Sequence, residues 1–140
     1  MAVGIKVGSI TDEIGTSDFF HAFFSTVSGN LESKGWGSKY PAIMNKLYLG
    51  KLASEEVSAA LIELKEIQTS LLSYKPDKVI WDIEAPERQP PWGSNISPEI
   101  TNLGNYFVTS TGRDLINTLI EALEEEDAAQ SGKPAEIVQY

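Results

Sequence analysis

The run PDKVIWDIEAPERQPPW, residues 76–92, limits what this chain can fold into more than any other stretch. Pro76-Asp77 reads as a turn. From Lys78 to Ile83 the residues alternate, with Val79, Trp81 and Ile83 on one face and Lys78, Ile80 and Asp82 on the other, which predicts a strand. Ile80 makes the second face partly apolar, so an inner strand covered on both sides is expected. The pattern stops after Glu84. Pro90-Pro91 fixes two φ angles and holds Gln89 and Pro90 extended, and Trp92-Gly93 ends the run. A central strand would thus deliver Asp82, Glu84, Glu87 and Trp92 into a stiff loop. A loop ordered before contact loses less entropy on binding.

At 140 residues the chain fits one domain that buries roughly two-thirds of its unfolded surface. Its 41% hydrophobic and 22% charged content is that of a globular protein. No apolar run approaches the roughly 18 residues of a membrane-spanning helix. MAVGIKVGSI has no basic leader followed by a long apolar segment, so no signal peptide is expected. The absence of cysteine excludes disulfides and thiolate metal sites and fits a cytoplasmic protein. Twenty acidic residues against 11 basic give a net charge of −9. Such a chain repels phosphate backbones, which weighs against nucleic acid as a partner. The same field draws in a basic partner, although acidity also serves solubility alone.

In chain order, Val3, Ile5 and Val7 alternate with Gly4, Lys6 and Gly8, predicting a strand whose second face is nearly bare. Thr11–Thr16 reads as a turn. Ser17 is placed as the cap of a helix with Asp18 in its first turn and Phe20, Phe23, Phe24, Val27 and Leu31 inward. Burying such side chains contributes about 1.5–3 kcal/mol each. Residues 33–38 form a loop with Trp36. A short helix runs from Pro41 to about Leu49 with Met44, Leu47 and Tyr48 inward. Ser54 is placed as the cap of a helix whose seam is Val57, Ala60, Leu64, Ile67 and Leu71. Asn105–Thr109 is a third strand candidate. Ser110 or Thr111 caps a last helix with Asp114 in a capping box and Leu115, Ile116, Leu119, Ile120 and Leu123 buried. The sum is an α+β fold, one domain over residues 1–129, with a small, mainly antiparallel sheet of three or more strands against about four helices. Residues 130–140 read as a flexible tail.

Little of this is catalytic. His21 is the single histidine, with no cysteine or second histidine to join it in a triad or zinc site. Gly4, Gly8 and Gly15 match no phosphate-binding loop. Asp82 and Glu84, two apart, offer a possible divalent-metal pair and hence a metal-dependent hydrolase as the alternative. Pro76-Asp77 lacks the downstream acid-x-Lys of a restriction-type nuclease. Glu121, Glu124, Glu125, Glu126 and Asp127 crowd the end of the last helix, where they oppose its dipole, so local stability does not account for them. They read either as a solvated end or as a docking surface for basic side chains. Trp81 reads as core, while Trp36 and Trp92 in glycine-flanked loops read as lids or interface anchors, Trp92 the better anchor.

The blocks VGIKVGSITDEIGTSDFFHAFFSTVS, LYLGKLASEEV, PDKVIWDIE with QPPWG, and NISPEITNLGNYFVTSTGRDL, in this order, resemble the immunity protein 70 family of bacterial polymorphic toxin systems. The resemblance covers residues 2–125 and leaves the segment after Asp127 outside. It implies a small cytoplasmic protein that binds and neutralises the C-terminal domain of a cognate secreted toxin, and it supplies no catalytic residues.

The expectation is therefore a non-enzymatic, stoichiometric binder of a basic, nuclease-type toxin, without cofactor or metal, as monomer or homodimer. Asp82, Glu84, Glu87, Trp92, Glu121, Glu124 and Glu125 are its expected toxin-binding residues. A dimeric adaptor using the 57–71 seam or the last helix is the remaining alternative.

Overall fold

The computed structural model describes residues 2–140; Met1, counted in the expected domain, lies outside them. Strand β1 (Ala2–Val7) pairs antiparallel with β2 (Ile10–Thr16) across Gly8-Ser9. Gly8, at φ 62°, supplies the left-handed backbone that a two-residue hairpin turn requires. Thr11–Thr16 is thus a strand rather than a turn. Its pattern is hard to read because the register shifts opposite Val3 and Gly4, leaving Ile14 unpaired and turning it into the core. The bare face of β1 is closely approached, as its glycines suggest. A Cβ on Gly4 would lie 2.9 Å from the Asp12 carbonyl oxygen.

Two further strands, β3 (Lys51–Leu52) and β4 (Ala135–Gln139), complete an antiparallel sheet in the order β2-β1-β4-β3. The expected tail from residue 130 is corrected here. Val3 to Lys6 pair with Gln139 to Glu136, so the last residues fill the middle of the sheet. Ile137 faces the core beside Ile5, and Ala135 is fully buried. The strand supplies partners to the second edge of β1, whose backbone groups would otherwise lie open.

The helices are α1 (Ser17–Leu31), α2 (Val57–Leu71) and α3 (Leu115–Ala129), joined by a π-helical segment at Ile43–Leu47. Thr16, not Ser17, caps α1 by accepting the Phe19 N–H at 3.1 Å. Ser54 opens a 3₁₀ turn before α2 and spends its hydroxyl on Glu126 at 3.0 Å instead of capping. Asp114 is the cap of α3, accepting the Asn117 N–H at 2.9 Å, in place of Ser110 or Thr111. All five seam residues of α2 and the five apolar residues expected on α3 are buried. That seam is spent inside the chain, which removes it as a dimer contact.

The α+β class stands, with four strands, three α-helices and the π-helical segment in one domain among the described residues. Two expected strands are absent. Asn105–Thr109 contributes one isolated bridge, Val108 to Asp114. Lys78–Ile83 forms no strand, because its backbone groups are taken by side chains of α1.

Candidate functional site

On α1, His21, Ser25 and Gly29 recur every four residues and so share one face, with Thr26 and Asn30 beside it. Residues 78–83 lie along this stripe. The Thr26 hydroxyl accepts the Ile80 N–H at 3.0 Å and donates to the Ile80 carbonyl at 3.1 Å. Ser25 Oγ accepts the Ile83 N–H at 3.1 Å, and Asn30 Nδ2 donates to the Lys78 carbonyl at 3.0 Å. A Cβ on Gly29 would fall 2.1 Å from Ile80 Cδ1, so the segment rests directly on the helix. Trp81 is buried as expected. The alternation from 78 to 83 therefore records contact with a helix, with strand-like bonds supplied by side chains.

Beyond Ile83 the chain turns out to solvent. Asp82 organises that turn. Its Oδ1 accepts the Glu84 N–H at 3.0 Å and faces His21 Nε2 at 3.2 Å, while Oδ2 accepts from Arg88 Nη1 at 3.2 Å. The Ala85 N–H adds a bond to the Asp82 carbonyl at 3.0 Å. The Glu84 N–H, then His21 and Arg88, hold the Asp82 carboxyl below its ordinary value. Asp82 is thus an internal brace with its side chain only 19% exposed. Glu84 and Glu87 stand exposed on the same loop. Neither pairs with a Lys or Arg among the described residues.

His21 has partners that its isolation in the sequence hides. Nδ1 lies 2.6 Å from the Tyr48 hydroxyl, and the ring is layered near Trp36 with centroids 6.1 Å apart. Burial first, then the Glu84 and Asp82 carboxylates, push the Tyr48 phenol above its ordinary value. A phenol kept protonated is a hydrogen-bond donor and a poor nucleophile, so the Tyr48–His21–Asp82 chain fits bracing better than catalysis. Trp36, the other loop tryptophan, packs on His21 and Tyr48, with its indole N–H bonded to the Met44 carbonyl at 3.0 Å. The signal that could have found this cluster is the polar and small stripe on an otherwise phenylalanine-rich helix.

Trp92 lies elsewhere on the loop layer. Its indole N–H donates to the Tyr106 hydroxyl at 2.8 Å, its ring meets Trp81 edge-on at 5.4 Å, and 38% of it is exposed. It lines an apolar cleft of about 330 Å³, which shares Ile96 and Tyr106 as walls with a second apolar cleft of about 520 Å³.

The α3 acids form a second group. Glu121 pairs with Arg113, which also holds Asp12 at 3.2 Å, and Glu124 pairs with Lys65 at 3.5 Å. Glu125 is exposed and has no basic partner among the described residues. Glu126 belongs to neither group, being 2% exposed and bonded to Ser54, the Ser131 hydroxyl and the Ser131 N–H. Among the described residues no three His, Asp or Glu side chains converge as metal ligands. None of the helices in the described residues is long and apolar enough to cross a membrane.

A family model described as Immunity protein 70 matches residues 5–137, nearly the whole chain. The chain belongs to the Immunity protein 70 family. Neither a curated protein nor a solved structure matches it. The family match runs into β4 as far as residue 137, so the first part of the strand that completes the sheet lies within the matched region. Membership implies an immunity protein with a toxin protein as its partner. Immunity proteins of this kind are generally non-enzymatic.

Proposed function

We propose that this protein neutralises the C-terminal domain of a cognate secreted toxin by stoichiometric binding in the cytoplasm. The toxin is a basic one, of nuclease type, and the loop from Asp82 to Trp92 is the contact. The observation that carries this reading is a pair of exposed carboxylates, Glu84 and Glu87, without basic partners on a loop that α1 already holds in shape. Such groups are open to lysine and arginine side chains of a partner, and the ordering cost is largely met before contact. Asp82 acts by bracing the loop, and half-exposed Trp92 adds apolar contact area. Glu121, Glu124 and Glu125 extend the negative field that steers a basic domain into place.

The test is the double variant Glu84→Lys/Glu87→Lys, titrated against the toxin domain encoded beside this gene. Both side chains are solvent-facing, so the thermal midpoint should stay that of the parent. The dissociation constant should rise roughly a hundredfold. An unchanged constant in the folded variant retires the loop as the contact.

A further inference from the structure

We infer that His21, oriented by Tyr48, is the positioning residue that fixes the Asp82–Arg88 turn; its consequence for binding rests on the loop being the toxin contact. Asp82, held below its ordinary value, is an acceptor only, so the proton between it and His21 sits on Nε2. In the tautomer with its proton on Nε2, Nδ1 accepts a hydrogen bond from the Tyr48 hydroxyl at 2.6 Å. The Tyr48 ring cannot drift, because it is stacked on Phe20 at 5.8 Å and meets Trp36 near edge-on at 5.0 Å. One relay of two bonds therefore runs from the aromatic core to Asp82 Oδ1. That same oxygen takes the Glu84 N–H, and the same residue's carbonyl takes the Ala85 N–H. The α1 side chains Ser25 and Thr26 hold the backbone only as far as Ile83. Beyond Ile83, His21, acting through Asp82, is the one side-chain grip of the helix among the described residues on the turn that carries Glu84 and Glu87.

Amide hydrogen exchange on the purified chain tests this directly. In His21→Ala the Glu84 and Ala85 amides should exchange about tenfold faster, while the Ile83 amide and those of α2 keep the parent rates. His21→Gln, whose amide can still donate to Asp82, should restore most of the protection. Tyr48→Phe, which keeps the ring and loses the proton, should fall between and decides the matter if His21→Ala does not fold. Unchanged Glu84 and Ala85 rates, or a rise shared equally by α2, overturns the assignment. In parallel, His21→Ala should weaken binding of the neighbouring toxin domain about tenfold, and the effect should vanish on the Glu84→Lys/Glu87→Lys background. Faster exchange with unchanged affinity upholds His21 as the brace and removes the loop from the interface instead.

Discussion

Glu126 shows how one carboxylate can belong to the fold while its neighbours belong to the surface. It joins three parts of the chain: the end of α3, Ser54 ahead of α2, and Ser131 on the way to β4. The Ser131 hydroxyl, more than its other partners, holds the Glu126 carboxyl below its ordinary value of 4.5. A lowered folded value means that the stabilisation is present above the unfolded value and is lost as pH falls through the folded one. Glu126→Gln should therefore show a shallower loss of stability on acidification than the parent, measured by urea unfolding between about pH 3 and pH 7. Equal slopes would mean that the carboxylate contributes nothing. By sequence Glu126 groups with a solvated or docking end, whereas in the fold it is buried, continuing the phase of Leu119 and Leu123 by one step of three. The run of acids around it, which reads as a solvated end, obscures that phase.

At the scale of elements, the helices were legible and most of the sheet was not. Apolar residues three and four apart name the buried faces of α1, α2 and α3 because a helix repeats its contact over several turns. The strands lack that redundancy. β3 has two residues, β2 hides its inward Ile14 behind a register shift, and β4 follows a polar stretch from Gln130. The reverse error at Lys78–Ile83 has the same root, because period-two alternation reports two different surroundings without saying that either is a sheet. The interior place of β4 gives a sharp expectation. Removing residues 130–140 strips both β1 and β3 of a partner and uncovers Ile5, so the shortened chain should lose its cooperative unfolding transition, followed by circular dichroism. A sharp transition near the parent midpoint would show that the strand is dispensable.

For the whole molecule, charge and order act together. In the proposed reading, a net charge of −9 would attract a basic toxin domain over long range, and the loop over α1 would give that attraction a fixed point of arrival. The composition was legible from the outset, as was the placement of Glu84 and Glu87 in a loop. The brace beneath them was not, because His21, Tyr48 and Asp82 are brought together only by packing of α1 against residues distant in sequence. Under the proposed function the protein transforms nothing, so its effect must scale with its amount. The most direct measurement is the residual activity of the neighbouring toxin domain, held well above the dissociation constant, as this protein is added. Activity should fall in a straight line and reach zero at a fixed molar equivalence. Loss of activity at a small fraction of that amount, growing with time, would mark an enzyme and contradict the account.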